Sequence, residues 1–252
     1  MNTPRWIGFA ARGLAAVGGF AAGAYATYVG FTWYSYGNAS RLVRPEEQDD
    51  LLDQFMPAYE VVERHQIRVA APAAVTLAAA REMDLLELPV VRAIIKGREL
   101  MLGANPDDRP RPRGLLVQMQ TLGWGILAEE PGREIVVGGV TKPWEANPTF
   151  RALPPDEFLA FNEPDYTKIV WTLRADPVGA ADSIFRTETR AMTTDATSRA
   201  KFRRYWSFVS PGIWLIRRAS LRPLKAAAER RSRAERSEMR VAAAQLPGRF
   251  EA

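Results

Sequence analysis

The 252-residue chain has no cysteine and a single histidine, His65. The lack of cysteine excludes disulfides, thiolate nucleophiles and cysteine-ligated metals. One histidine alone makes a multi-histidine metal site or a Ser-His-Asp triad difficult to assemble. Neither a glycine-rich phosphate loop nor a carboxylate pair at a recognisable catalytic spacing occurs in the sequence. We therefore predict no catalytic residue, no metal and no cofactor.

Long apolar runs are also scarce, because only residues 13–36 form an extended segment without charge. As a helix these 24 positions span about 36 Å, which is enough to cross a bilayer. Trp33, Tyr34 and Tyr36 crowd the far end, where amphipathic rings prefer the headgroup level. The sequence thus predicts a transmembrane helix over 13–36, with a flank at 1–12 and membrane-interface contacts at these three rings.

Small residues recur at every fourth position of this run, at Ala15, Gly19, Gly23 and Thr27. Such a seam lets two membrane helices approach closely, so we predict packing against other transmembrane subunits. The alternative is that alanine and glycine are simply common in this segment. A cleaved signal peptide ending near residues 37–39 is a second alternative, although the long run and the bulky rings disfavour it.

The net charge of +5 is distributed unevenly along the chain. Residues 199–240 hold thirteen Lys or Arg against three Glu. This segment predicts contact with an anionic surface through Arg217, Arg218, Arg222 and Lys225. A solvated helix with Glu–Arg pairs is the alternative. Nucleic acid is not expected as a partner, because exposed aromatics and a reader motif are missing. Since cytoplasmic leaflets carry anionic lipid, we expect an inner-membrane protein with a cytoplasmic domain.

The remaining chain divides into a linker at 37–58, one domain at 59–235 and a flexible tail at 236–252. Alternation at 59–70 predicts a strand, and composition predicts helices at 72–84 and 89–101. The prolines of 105–113 predict a loop. Later strands are predicted at 114–121, 123–130, 133–141, 167–175 and 183–193, before a long helix at 196–235 that Pro211–Gly212 should kink or split.

Three passages resemble bacterial members of the START-like (SRPBCC) superfamily, which includes polyketide cyclase-like and lipid-transfer domains. They are GWGILAEEPGREIVVGGVTKPW at 123–144, FLAFNEPDYTKIVWTL at 158–173, and the segment 185–229 containing TETR, FRRYW and IRR. The resemblance implies an α+β helix-grip fold, in which a curved antiparallel sheet surrounds the C-terminal helix. It also implies an apolar cavity between sheet and helix, but no reaction.

If this cavity is open, we predict that it binds a lipid or another apolar ligand. The residues predicted to line it are His65, Ile169, Trp171, Leu173, Phe202 and Trp206. The alternative is a closed core filled by the same aromatic rings. Arg186, Glu188 and Arg190 alternate along one strand, so they predict an outward ladder of ion pairs.

The leading functional hypothesis from the sequence is a membrane-anchored, non-enzymatic START-like module. It would act as an accessory or scaffolding subunit of a larger membrane complex, for example an energy-transducing one. The first alternative is a binding or transfer protein for lipid or another apolar ligand. A cyclase-like enzyme is the third hypothesis.

Overall fold

The computed structural model describes residues 5–37, 45, 48–104 and 112–244, which form an α+β protein. The helices are α1 (Arg5–Ser35), α2 (Asp50–Asp53), α3 (Ala73–Glu82), α4 (Pro89–Leu102), α5 (Leu115–Thr121), α6 (Pro155–Ala160) and α7 (Ala196–Ala244), with a 3-10 turn at Leu85–Glu87. The strands are β1 (Val61–Val69), β2 (Gly125–Glu130), β3 (Glu134–Thr141), β4 (Thr167–Pro177) and β5 (Ser183–Thr193).

The five strands form one antiparallel sheet in the order β1-β5-β4-β3-β2. Alternating side chains give the sheet two faces. One face, here called the inner face, packs against α7 and α3. The opposite, outer face is covered by α2 and α6. The predicted strands at 59–70, 123–130, 133–141, 167–175 and 183–193 all occur.

Helix α7 lies along the inner face and, at about 1.5 Å per residue, its 49 residues extend for about 74 Å. Its buried apolar residues form two groups with internal intervals of three or four, and both groups lie on one helical stripe. These residues are Phe202, Trp206, Leu221, Leu224 and Ala228. A sheet surrounding a long C-terminal helix is the arrangement expected from the START-like resemblance.

The segment 115–121 is a helix, so the predicted strand at 114–121 is wrong. Leu115, Leu116 and Gln118 are buried, which is a helical rather than an alternating pattern. Leu, Gln and Met favour helix, and only Val117 and Thr121 are β-branched. The Gln118 side chain also donates to the Pro112 carbonyl, which holds the start of α5 in place.

The outer face buries part of the segment that we predicted as a linker. Leu52, Phe55 and Met56 are buried, and they pack with Val136 and Phe158 in an apolar cluster. Residues 48–56 therefore belong to the domain, while 38–44 and 46–47 lie outside the described residues. The acidic composition of this segment did not indicate its burial, because charged and polar residues surround its three buried apolar residues.

Helix α1 spans Arg5–Ser35 and packs against α7. In the described part of the chain, no helix combines the length and the apolarity that crossing a membrane requires. The predicted transmembrane helix at 13–36 is therefore not supported. Its run lacks charge, but alanine, glycine and hydroxyl-bearing residues make up most of it and add little hydropathy.

Helix α7 differs from its prediction in two ways. It is one helix through Pro211, and it continues to Ala244, nine residues beyond the predicted end at 235. Residues 245–252 of the predicted tail lie outside the described residues. Gly212 serves the packing of α4, because a Cβ at that position would lie 2.9 Å from Cγ2 of Ile94.

Candidate ligand site inside the helix grip

A row of polar side chains crosses the otherwise apolar inner face. The register of the sheet sets Glu63 and His65 on β1 opposite Thr189 and Thr187 on β5. Trp171 on β4 is the next partner of Thr189. These positions share the inner face because they are separated by even numbers of residues along their strands. We call them the polar row.

Arg217 reaches this row from α7. Its Nη2 donates to Thr189 Oγ1 at 2.9 Å and its Nη1 to Thr187 Oγ1 at 3.4 Å. The guanidinium carbon lies 5.5 Å from the centroid of the Trp171 ring, which is within cation–π range. Burial lowers the pKa of Arg217 to about 10, an effect that the charge of Glu63 opposes. The side chain therefore remains a cation at neutral pH.

His65 supplies a polar atom that the protein leaves unsatisfied. Its side chain is 8% exposed, and Nε2 is buried without a hydrogen-bond partner among the described residues. The nearest acidic oxygen is Glu63 Oε2, at 3.6 Å from Nε2. Buried polar atoms are usually hydrogen-bonded, so an orphaned imidazole nitrogen needs an explanation.

Helix α1 covers the same region through Tyr28. Burial raises the pKa of the Tyr28 phenol, and the negative charge of Glu63 raises it further. A neighbouring ring on the same helix, Tyr25, donates from its hydroxyl to the Phe208 carbonyl of α7 at 2.8 Å. Hence α1 is held to α7 beside the polar row. Tyr28 brings a further hydroxyl group to that part of the interior.

Aromatic side chains fill the grip on either side of the row. Towards β3, Trp171 meets Trp124 edge-on at 6.2 Å between ring centroids. Towards the start of α7, Phe202 packs with Tyr36 and Trp206 at 6.1 and 5.8 Å. The interior is therefore apolar at both ends and polar in the middle.

The structure brings the six predicted lining residues to the inner face. Trp171, Leu173, Phe202 and Trp206 are buried, and Ile169 packs against the cluster of Phe202 and Trp206. The composition of this interior agrees with the predicted lining, whereas its role in binding remains a prediction. The rings of Trp171 and Trp206 contact neighbouring aromatics closely, as the alternative of a filled core requires.

Arg217 was predicted to contact an anionic surface, but the structure places its guanidinium against the sheet. The signal was present in the sequence, because Arg217 lies eleven residues after Trp206 and four before Leu221, on the buried stripe of α7. Arg218 and Arg222 are exposed, and their contact with an anionic surface remains a prediction. Lys225 turns towards the sheet, where its Nζ donates to the Arg68 carbonyl at 2.9 Å.

The predicted membrane-contact residues have different environments. Trp33 and Tyr34 are exposed, whereas Tyr36 is buried and its hydroxyl donates to Glu60 Oε2 at 2.6 Å. The membrane-interface prediction is therefore wrong for Tyr36. Gly19, Gly23 and Thr27 of the predicted seam are exposed, while the side chain of Ala15 lies outside the described residues.

The charged residues of β5 form a buried cluster rather than an outward ladder. Glu188 accepts two hydrogen bonds from Arg64 at 2.8 and 2.9 Å and one from Arg190 at 2.7 Å. Arg190 also reaches Asp53 of α2 at 2.5 Å. The predicted pairing is present, but Glu188 and Arg190 are buried because the segment 48–56 covers them.

Three cavities open on or beside the outer face of the domain. One of about 170 Å³ lies among Arg64, Arg174, Arg186 and Glu188, and one of about 370 Å³ separates α2 from the β2–β3 turn. A third, of about 390 Å³, lies beside α6. None of these three is lined by Trp171, Phe202 or Trp206, although His65 and Thr187 contribute to the lining of the first. Among the described residues, no group of three or more His, Asp or Glu is placed to hold a metal ion.

No protein-family model matches the chain, and no curated protein matches its sequence. Among solved structures, the chain is similar to CalU16 from Micromonospora echinospora, at 13% identity over 69% of this chain and 97% of that one, with a TM-score of 0.23. It is also similar to the Zhui aromatase/cyclase from Streptomyces sp. R1128, at 15% identity over 68% of this chain and 94% of that one, with a TM-score of 0.21.

A third similar structure is the di-domain aromatase/cyclase BexL of the BE-7585A biosynthetic pathway. Its identity is 13%, over 62% of this chain and 44% of that one, and its TM-score is 0.23. At these values the three likenesses carry no functional argument. The helix-grip description rests on the strand order and the position of α7 in this chain.

Proposed function

We propose that the protein binds an apolar ligand that carries an anionic or carbonyl oxygen, inside the grip between the sheet and α7. The observation that carries this proposal is the polar row, where the guanidinium of the half-buried Arg217 and an unsatisfied histidine nitrogen face an otherwise apolar interior. Polar groups placed at one point of an apolar enclosure are typical of sites that orient a ligand.

Stability alone does not account for Arg217. Burying a cation costs free energy, and an apolar side chain of similar size is often as good or better for the folded state. No described carboxylate forms an ion pair with Arg217, whose hydrogen bonds go to two neutral hydroxyls. A ligand oxygen would supply the missing negative partner, and such charge-assisted hydrogen bonds are about twice as strong as neutral ones.

The surrounding residues suggest the chemistry of the ligand. Arg217 and His65 offer donors to an acceptor oxygen, while Trp171, Phe202 and Trp206 offer ring faces and edges to an apolar body. The rings lie close together, so binding requires that α1 or some of these rings move. Helix α1 lies over the polar row through Tyr28, so a movement of α1 away from α7 would open the grip.

A cyclase-like reaction is a second candidate, favoured by the 3.6 Å separation of His65 Nε2 from Glu63 Oε2. Imidazole moves protons near neutral pH, and an adjacent carboxylate orients it. This candidate needs the same bound ligand, so binding is the first question. The sequence-based hypothesis of a membrane-complex subunit draws no support from the polar row.

A fluorescence titration with cis-parinaric acid, an apolar chain that ends in a carboxylate, tests the proposal. The full-length protein should enhance the probe fluorescence with saturation, and Arg217→Met should weaken binding by at least about tenfold, the loss of one charged hydrogen-bonding partner. Arg218→Met is the matched control, because the neighbouring arginine is exposed; its affinity should not change. Equal affinities of Arg217→Met and Arg218→Met for the probe would contradict the proposal.

A further inference from the structure

The surface formed by α1 and α7 on the side away from the sheet is unusually apolar. On α1, Phe20, Phe31 and Tyr34 have exposed fractions of 81%, 68% and 82%. On α7, Phe208, Trp214 and Leu215 are 45%, 39% and 40% exposed. The helices touch at Tyr25–Phe208 and at Trp33–Arg203, so the six exposed residues belong to two adjoining helices. We call the surface of the two helices that carries these six residues the α1–α7 face.

Arginines lie among the apolar residues of this face in a regular pattern. Positions 204, 208, 211, 215, 218 and 222 follow one another at alternating intervals of four and three, which places them on one stripe of α7. The stripe contains Arg204, Phe208, Leu215, Arg218 and Arg222, all exposed. Trp214 adjoins it, with its ring 5.5 Å from the Arg218 guanidinium carbon.

Acidic residues are missing from both helices where they form this face. Neither residues 5–35 nor residues 196–228 contain an Asp or Glu, whereas the second stretch contains eight Lys or Arg. Elsewhere on the surface, some exposed arginines have acidic partners, as in Arg133 with Glu130 and Arg151 with Glu163. The exposed arginines of the face, Arg204, Arg218 and Arg222, have no such partner among the described residues.

From this combination we infer that the α1–α7 face docks on the surface of a membrane that contains anionic lipid. Rings of Phe, Trp and Tyr enter the boundary between headgroups and acyl chains, while arginines beside them pair with lipid phosphates. The absence of carboxylates removes the repulsion that would oppose this contact. The helices lie along the bilayer surface in this arrangement, and the inference does not depend on a ligand inside the grip.

Lipid fits the face better than a second copy of the chain. A copy of the same face would bring Arg204, Arg218 and Arg222 near another acid-free, arginine-bearing surface, and like charges repel. An anionic lipid surface complements the charge and accepts the apolar rings together. The exposed stripe and the buried stripe also lie on different sides of α7, so altering the first leaves the grip intact.

Co-sedimentation with vesicles tests the inference on the full-length chain. We expect the protein to bind vesicles of equal parts phosphatidylcholine and phosphatidylglycerol, and to bind pure phosphatidylcholine vesicles much more weakly. Adding salt to about 0.5 M should weaken binding, because exposed charges are screened. The triple variant Arg204→Gln, Arg218→Gln, Arg222→Gln should lose more than about tenfold of its vesicle affinity, since each basic residue near such a surface contributes about 1 kcal/mol.

A second triple variant gives the matched control. Arg68→Gln, Arg133→Gln and Arg151→Gln remove the same charge from exposed positions outside the face, and should leave binding nearly unchanged. The double variant Phe208→Ser, Leu215→Ser should weaken binding without changing the net charge. Absence of binding to anionic vesicles, or equal losses in the two triple variants, would overturn the inference. If the protein fails to bind vesicles but forms a dimer that the double variant abolishes, the face belongs to an interface with a second copy. That outcome would also overturn the inference.

Discussion

On the outer face of the sheet, buried Glu188 receives hydrogen bonds from Arg64 and Arg190, and Arg190 continues to Asp53. On the inner face, Arg217 donates hydrogen bonds only to two threonine hydroxyls, and the nearby imidazole of His65 leaves Nε2 without a partner among the described residues. The charges of Glu188, Arg64, Arg190 and Asp53 are thus matched within the protein, whereas the polar row leaves polar groups unmatched. Matched charges join elements of the fold, while unmatched donors in an apolar enclosure indicate a site for something else.

The two faces also differ in what covers them. The short α2 and the segment around it close over the outer cluster, so that its charges fix the chain between residues 48 and 56. The polar row on the inner face is covered by α1 and α7, whose aromatic rings and hydroxyl groups lie against it. If this contrast is correct, substitutions of similar chemistry should have different consequences on the two faces.

The largest loss of stability is expected for the aromatic packing of the inner face. Trp171→Ala and Trp206→Ala should each reduce the free energy of unfolding by about 3–5 kcal/mol, because large buried side chains leave cavities when truncated. Urea unfolding measures this loss. Trp214→Ala, at an exposed position, is the control and should cost less than about 1 kcal/mol. Similar small losses for all three variants would show that the inner rings are not closely packed.

Breaking the outer cluster should have the next largest effect. Glu188→Ala removes the carboxylate between Arg64 and Arg190 and leaves two partly or fully buried guanidiniums unpaired. We expect a loss of about 3 kcal/mol in the free energy of unfolding. The control is Glu235→Ala, which removes an exposed partner of Arg231 and should cost less than about 0.5 kcal/mol. Equal losses would mean that the cluster contributes no more than a surface pair.

A pH-dependent effect is expected at the edge of the same cluster. Burial and the neighbouring Asp49 carboxyl raise the pKa of Glu134 to about 9. In the unfolded chain this group loses its proton near its ordinary value of 4.5, so the folded state loses stability as pH rises from about 4.5 towards 9. Glu134→Gln should therefore be more stable than the unaltered protein at pH 8, by about 1–2 kcal/mol.

The difference in the free energy of unfolding between Glu134→Gln and the unaltered protein should shrink as pH falls. It should vanish below about pH 4, where Glu134 is protonated in both the folded and the unfolded state. Urea unfolding at several pH values measures this difference. Glu130→Gln, an exposed neighbour, should show no comparable difference. A constant difference between Glu134→Gln and the unaltered protein at every pH would contradict the raised pKa.

The smallest effect on stability is expected for the arginine that contacts the polar row. Arg217→Met should change the free energy of unfolding by less than about 1 kcal/mol in either direction, because an apolar side chain replaces a cation that has no acidic partner. Arg190→Met on the outer face is the comparison, and should cost several times more because Glu188 and Asp53 lose their partner. A large loss for Arg217→Met in urea unfolding would make Arg217 a structural residue and remove the contrast between the faces.

The alternation of apolar and polar residues was sufficient to predict β1, and the later strands were predicted as short segments between turns. Alternation is not required of β3, which is buried along its whole length. It failed at 115–121, where a short helix buries adjacent Leu115 and Leu116, which alternation does not distinguish from a buried strand. It also failed to predict burial of Glu188, because burial of a charged strand face depends on α2, a segment far away in the sequence. The charge content of residues 48–56 and of β5, taken alone, indicated that both segments are solvated.

The candidate site was predictable only in part. The apolar lining followed from the START-like resemblance and the positions of the large rings. Arg217 was assigned to the surface because the basic composition of 199–240 outweighed its place on the buried stripe. Glu63, Thr187 and Thr189 were missed, since their proximity to Arg217 depends on the register between β1 and β5 and on the placement of α7. Register is a tertiary property that a single strand does not reveal.

Mass spectrometry of the intact protein, purified from its own cells without denaturation, tests the central claim most directly. We expect a bound apolar molecule bearing a carboxylate, carbonyl or other acceptor oxygen, retained by the unaltered protein and by Arg218→Met but lost from Arg217→Met. Folded protein that carries no small molecule, and that also fails to bind cis-parinaric acid, would contradict a ligand site at the polar row. Equal retention of the same molecule by Arg217→Met would place its binding elsewhere and contradict the claim as well.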